Sequence, residues 1–262
     1  MEALRYLRSL LAGLLIAGVT LALSAIGIVT WPLSPRGQFY LSLARFWSRF
    51  SFALTGVTVT VGGRERIDWS RPYLFMANHQ SSADVMALFY ALPVPVRLMA
   101  KRSLAWLPVF GWGMALARFI FIDRRNARRA FRSLERAARR IRGGESVAIF
   151  PEGTRSDDGR VQAFKKGGFL LAAKAQVPIL PVAIVGSNAC LAKGGLRIHG
   201  GRFHVEMGVP ILPGELDPKN RDDLAERVHV QLAELVGDNT PERFLAGRAP
   251  SRAPARAATN RA

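Results

Sequence analysis

From Ser9 to Pro35 the chain carries no charged residue. Its core, Leu10 to Trp31, is long enough as a helix to cross a hydrocarbon layer of about 30 Å. It is too long for a signal-peptide h-region, and no A-x-A-like cleavage site follows at the usual distance. The segment therefore reads as a membrane anchor, with the Trp31 ring at the interface. Arg5 and Arg8 flank one end; Arg36, Arg45 and Arg49 flank the other. The more basic C-terminal flank points to the cytoplasm, and Pro32 and Pro35 break the helix. Gln38 to Leu54 reads as a second helix, because Phe39, Leu43, Phe46, Trp47 and Phe50 recur at helical spacing. Its aromatic face either lies in the interface plane or packs on a globular domain. The two segments could also form one re-entrant hairpin, which apolar length does not distinguish from a span.

Charge narrows the partners. The 262 residues include 37 Lys+Arg against 19 Asp+Glu, a net +18, while 49% are hydrophobic and the mean hydropathy is +0.12. Basic and apolar together suggest a membrane-surface protein, since cytoplasmic leaflets are anionic. Nucleic acid is the competing reading of charge alone. The single cysteine, Cys190, excludes an internal disulfide and a Cys-based zinc site, and no HExxH is present. No metal is expected.

The globular part begins near Gly56. Strands are expected at Val57–Val61, Tyr73–Ala77, Val96–Ala100, Phe119–Ile122, Ser146–Phe150, Ile179–Val185 and Arg202–Gly208. Helices are expected at Asp84–Leu92, at Ser103–Leu116 with interruptions at Pro108 and Gly111, and at Asn126–Arg142, Lys165–Gln176 and Arg221–Val236. This alternation argues an α/β domain with a mixed, largely parallel sheet flanked by helices. The expected organisation is a membrane anchor and interfacial helix over 1–54, the α/β domain over 55–239, and a disordered basic tail over 240–262.

The stretch Asn78-His79-Gln80-Ser81-Ser82-Ala83-Asp84 sits between a strand and a helix. It is either a polar turn in which Ser82 or Asp84 caps the helix, or a catalytic pair. Three later blocks bear on that choice: Lys101-Arg102-Ser103-Leu104 through Gly113, Phe150-Pro151-Glu152-Gly153-Thr154-Arg155-Ser156, and Val177-Pro178-Ile179-Leu180-Pro181-Val182. In open parallel sheets, ligands bind outside the carboxyl ends of the strands. His79, Lys101 and Arg155 all lie just past expected strand ends. If those strands are parallel neighbours, the three face one crevice. A His/Asp pair beside cations suits transfer to a hydroxyl on an anionic substrate: imidazole takes the hydroxyl proton, the carboxylate stabilises the imidazolium, and the cations hold a phosphate.

These four blocks, in order over roughly residues 70 to 190, resemble the glycerolipid acyltransferase family, most closely the bacterial 1-acyl-glycerol-3-phosphate (lysophosphatidate) acyltransferases. The resemblance implies His79 as base, Asp84 as its partner, and Lys101 and Arg155 as phosphate ligands. It places Glu152, Gly153 and Thr154 at the acceptor site, and links Val177 to Val182 to acyl-donor binding or local structure. Arg124 resembles a position beside the acceptor site. The resemblance implies direct transfer from a thioester, acyl-CoA or acyl-carrier protein, with no cofactor and no acyl-enzyme; the chain has no Gly-x-Ser-x-Gly elbow.

The expected activity is acylation of the sn-2 hydroxyl of lysophosphatidate at the cytoplasmic face of the inner membrane. The rivals are another lyso-lipid acceptor, such as a lyso-ornithine lipid, and a non-catalytic binder of acidic lipid or nucleic acid. The ordered His79/Asp84 pair argues against that binder and against nucleic acid as the partner. The basic helix from Asn126, opposed only by Glu135, favours contact with anionic headgroups. His199, His204 and His229 are expected to be structural or surface residues.

Overall fold

A computed structural model describes residues 2–34, 37–123, 125–192, 195, 197–212 and 221–238. Pro35, Arg36, Arg124 and the 240–262 tail lie outside the described residues.

The charge-free segment forms helix α1 (Glu2–Thr30), which ends in a 3-10 turn at Trp31–Leu33 where Pro32 stops the α-helical ladder. It is the one helix among the described residues long and apolar enough to cross a membrane, by length and composition. Helix α2 (Gln38–Thr55) follows and ends on Gly56, whose φ of 68° allows the left-handed cap. The two helices pack together. Trp47 donates its indole N–H to Thr20 Oγ1 at 2.8 Å, and the Tyr40 hydroxyl donates to the Gly27 carbonyl. A Cβ at residue 27 would collide with the Tyr40 ring, so glycine sets this close approach. Both helices also join the rest of the protein. Leu41 and Phe52 of α2 belong to the main core, and Phe52 meets Tyr90 and Phe203 edge-on. The Ser9 hydroxyl on α1 bonds Ile198, and Ser24 lies against Gly113. The aromatic face of α2 is thus split: Trp47 is half-buried against the core, whereas Phe39 and Phe46 are exposed.

The remaining elements alternate. They are β1 (Val57–Gly62), β2 (Leu74–Ala77), α3 (Ala83–Ala91), β3 (Val96–Lys101), α4 (Phe110–Leu116), β4 (Ile120–Ile122), α5 (Ala127–Arg142), β5 (Ser146–Ile149), α6 (Lys166–Ala175), β6 (Ile179–Val185), α7 (Ser187–Cys190), β7 (Gly201–Met207) and α8 (Arg221–Asp238). One seven-stranded sheet runs β1-β7-β6-β2-β5-β3-β4. Strands β6, β2, β5, β3 and β4 are mutually parallel, and β7 pairs antiparallel with β6 and parallel with β1. The central strands are buried on both faces, as their unbroken apolar runs require. Phe75, Leu180, Val182 and Ile184 face the α2–α3 layer. Leu74, Met76, Ile179 and Ala183 face the α5–α6–α8 layer. Each such side chain contributes about 1.5–3 kcal/mol relative to exposure.

The expected single helix over Ser103–Leu116 is instead two elements, a 3-10 turn at Arg102–Trp106 and α4. Pro108 lacks an N–H, and Val109 turns the chain with φ 61°, a conformation that costs a β-branched residue about 1–3 kcal/mol. Gly111 does not interrupt the helix. It lies inside α4, where its missing Cβ admits the carbonyls of Leu104 and Ala105. Within Trp106 to Leu116, Gly111, Gly113 and Met114 are buried, while Trp106, Leu107 and Trp112 are exposed. The short helix α7 was not foreseen from sequence.

Candidate active site

Strands β2, β5 and β3 are adjacent and parallel, so the residues just beyond them open to the same side. The chain leaves β2 at a fixed point. Asn78, 1% exposed, donates its amide N–H to Ile184 O at 2.8 Å and accepts from Ile184 N–H at 2.7 Å. Its side chain thereby extends the β2–β6 ladder past Ala77, and the next residue is His79.

His79 Nδ1 lies 2.8 Å from Asp84 Oδ2. Asp84 is fully buried, and a buried carboxylate must be satisfied by donors. Its Oδ2 also accepts the backbone N–H groups of Gln80 at 2.6 Å and Ser81 at 2.8 Å. Its Oδ1 accepts the Ser187 hydroxyl at 2.5 Å. The first turn of α3 adds the favourable end of a helix dipole. Asp84 accepts from Nδ1–H, which leaves Nε2 as the basic nitrogen. Nε2 has no hydrogen-bond partner among the described residues, and His79 lines the cavity described below. The helix-cap reading is replaced in detail. Ser82 makes no side-chain cap bond; its hydroxyl accepts from Arg155 instead. Ala83 N–H is taken by Ser81 Oγ at 3.1 Å.

The block after β5 clamps the same histidine. The Phe150 ring stacks on the imidazole at 4.0 Å and 15°. Glu152 Oε1 accepts His79 N–H at 2.7 Å, and Oε2 accepts Gln162 N–H at 3.3 Å. Ser156 N–H donates to the His79 carbonyl at 2.7 Å. Glu152 is 2% exposed. Burial pushes its carboxyl up to about 7, against the lowering effect of the two backbone N–H groups. Gly153 turns the loop with φ 71°, and the Lys165 stem lies where a Cβ would sit.

Gly153, Thr154, Arg155 and Lys101 line one cavity with His79, about 530 Å³ in volume. Glu152 does not line it. Arg155 Nη1 donates to Ser82 Oγ at 2.7 Å, in the turn between His79 and Asp84. Lys101 is exposed and has no ionic partner among the described residues. The rest of the wall is largely apolar and draws on both N-terminal helices, with Leu23, Leu43 and Trp47 opposite Phe89 and Met114. Two cations and a largely apolar wall in one cavity suit an amphiphile with an anionic head. Arg124 falls outside the described residues.

Sequence reasoning missed Phe150 as the stacking partner, Ser187 as the second donor to Asp84, and Asn78 as the pin to β6. The Phe150-Pro151-Glu152 block held the first in plain view. Ser187 and Ile184 are 103 and 106 residues from their partners, and no local pattern signals such pairs. The other histidines are structural where their contacts are visible. His204 bridges Thr60 and Glu206, and His229 meets Phe164 edge-on.

Known proteins resemble this chain in sequence and fold. The acyltransferase family model matches residues 58–185. The 1-acyl-sn-glycerol-3-phosphate acyltransferase alpha of Ovis aries is 36% identical over 176 residues, 67% of this chain and 61% of its own. The match thus spans about 61% of the length of the sheep and cattle relatives. The 1-acyl-sn-glycerol-3-phosphate acyltransferase of Saccharomyces cerevisiae is 30% identical over 236 residues, 89% of this chain and 78% of that one. The crystal structure of the 1-acyl-sn-glycerophosphate (LPA) acyltransferase PlsC of Thermotoga maritima superposes with a TM-score of 0.79 at 26% identity, covering 95% of this chain and 99% of that one. A fold shared over nearly the whole chain, together with sequence identity sustained over 89% of it, shows that this chain belongs to the acyltransferase family.

Proposed function

We propose that the protein transfers a fatty acyl group from acyl-CoA or acyl-carrier protein to the sn-2 hydroxyl of 1-acyl-sn-glycerol-3-phosphate, giving phosphatidate. The observation that carries this reading is His79, oriented through Nδ1 by buried Asp84, with Nε2 open to an apolar cavity bordered by Lys101 and Arg155. Lys101 and Arg155 hold the acceptor phosphate, the guanidinium by paired N–H bonds. The acceptor hydroxyl attacks the thioester carbonyl carbon as its proton passes to Nε2. Asp84 stabilises the imidazolium. The C–S bond then breaks, and the departing thiolate takes the proton back. The acyl group moves directly to the acceptor, with no enzyme nucleophile. Gly153 and Thr154 shape the acceptor end. Glu152 acts one step back, holding the His79 backbone.

The protein works at a membrane surface, with its site facing the cytoplasm or the interface of the inner membrane. Helix α1 meets the rest of the chain from Ser9 through Gly27, a length of about 27 Å at 1.5 Å per residue. A helix held against the domain for that distance inserts one face into a leaflet more readily than it crosses. Leu10, Leu11, Leu14, Leu15, Leu21 and Val29 present that face. The test is an acyl-transfer assay of the purified protein against a panel of lyso-lipids that includes lysophosphatidate and lyso-ornithine lipid. Turnover of lysophosphatidate above the others supports the assignment, and preference for an acceptor without phosphate removes it.

A further inference from the structure

A second cavity, of about 450 Å³, lies between the 3-10 turn Arg102–Trp106, the edge strand β4 and helix α5. It is formed by other side chains than the catalytic pocket, with Phe119 common to both. Consecutive residues diverge at the end of β3: Lys101 lines the catalytic cavity and Arg102 lines the second one. The second cavity is bordered by three guanidiniums, Arg102, Arg136 and Arg140, and by the Trp106 indole.

The three arginines are not equivalent. Arg140 is committed to Glu145 at 2.7 Å and to the Arg118 carbonyl. Among the described residues Arg136 meets only the Ser133 hydroxyl, at 3.1 Å. Arg102 has no hydrogen bond or ion pair among the described residues. Two cations thus face a notch whose described lining includes no carboxylate. Guanidinium suits a phosphoryl group because its N–H fork pairs with two oxygens. The floor, from Phe119, Ile120 and Ala137, is apolar. The rim is Trp106, 73% exposed, followed by exposed Leu107 and Trp112. That rim continues through α4 onto α1, which packs beside it and bears the exposed leucines. An exposed indole beside arginines, at the border of an apolar surface, matches the headgroup level of a bilayer.

We propose that this notch binds the phosphoryl headgroup of an anionic phospholipid in the membrane, at a site separate from the acceptor phosphate. The proposal rests on the interfacial reading above. The concave shape, apolar floor and exposed indole set the notch apart from the solvent face of α5, where Arg128 and Arg139 offer charge without a cavity.

The test is co-flotation of full-length protein with phosphatidylcholine vesicles, with and without phosphatidylglycerol. Three proteins are compared: wild type, Arg102→Gln/Arg136→Gln, and Arg128→Gln/Arg139→Gln, the last two losing equal charge. Wild type gains affinity when phosphatidylglycerol is added. The notch variant loses about tenfold to thirtyfold of that affinity, the scale expected for two cations at an anionic surface, and the solvent-face variant loses far less. Arg102→Gln alone, at an exposed side chain without a partner, shows part of the loss with no bearing on the fold. Equal losses in the two double variants overturn the notch in favour of diffuse attraction. Binding of adenosine 3′,5′-bisphosphate by vesicle-free wild type, absent from the notch variant, overturns it in favour of a soluble phosphate ligand. A wild type that floats with neither vesicle removes the interfacial reading and this proposal with it.

Discussion

The backbone N–H of His79 donates to Oε1 of Glu152, 73 residues away, at 2.7 Å. The loop that supplies this acceptor also supplies the Phe150 ring under the imidazole and the Ser156 N–H to the His79 carbonyl. The blocks after β2 and β5 therefore form one mechanical unit. Two backbone bonds and a stacked ring fix where the imidazole sits, and Asp84 fixes which nitrogen faces the substrate.

Asp84→Asn should leave the histidine in place but weaken its imidazolium and its tautomer. The expected loss in kcat is about 10²–10⁴-fold, with acceptor KM nearly unchanged. His79→Ala should abolish transfer while flotation with vesicles persists. Steady-state kinetics and flotation check both, and normal turnover in either variant would remove the general-base assignment.

Glu152 ionises near pH 7 in the folded state, against 4.5 for its ordinary value. Between those values the folded state holds a proton that the unfolded chain has released. Stability therefore falls as pH rises from about 4.5 to about 7 and is flat above. The total change is on the order of 3 kcal/mol. Glu152→Gln should remove this slope while retaining an acceptor for His79 N–H. Urea midpoints on both sides of the window measure it, and an unchanged slope in the variant would assign it to other groups.

Arg155→Ala should raise the acceptor KM about tenfold or more, with a smaller effect on the donor KM, because a ground-state phosphate contact is lost. Lys101→Ala should act in the same direction. A donor-only effect would show that these cations serve the thioester instead.

Gly27→Val should separate α1 from α2, since the added side chain meets the Tyr40 ring. Overpacking of this kind costs about 1–3 kcal/mol. Because both helices wall the cavity, activity should fall together with thermal stability. Loss of neither would show that the hairpin adjusts freely.

Local chemistry made much of this protein legible. Strands β2 and β6 were readable because their apolar runs have no polar position to expose. α5 was readable from its Asn126 cap, whose side chain accepts Arg129 N–H at 2.9 Å, and from its buried Leu134, Ala137, Ala138 and Ile141 stripe. Ser103–Leu116 was misjudged as one helix because the positive φ of Val109 has no local signature in a β-branched residue. The uneven burial of the α2 face was unreadable for another reason: Phe39, Phe46 and Trp47 share one side of the helix and differ in what stands opposite them.

The sequence by itself determined the residue types at each strand end, the charge-free length of α1 and the family blocks, because spacing and composition are properties of the chain alone. Only the tertiary structure decided that β2, β5 and β3 are neighbours, bringing His79, Arg155 and Lys101 to one cavity. It also decided that Glu152 supports the His79 backbone, that Ser187 completes Asp84, and that Arg102 and Arg136 share a second notch. Sheet order and long-range hydrogen bonds follow from the joint burial of segments far apart in the chain, and no local pattern encodes that choice.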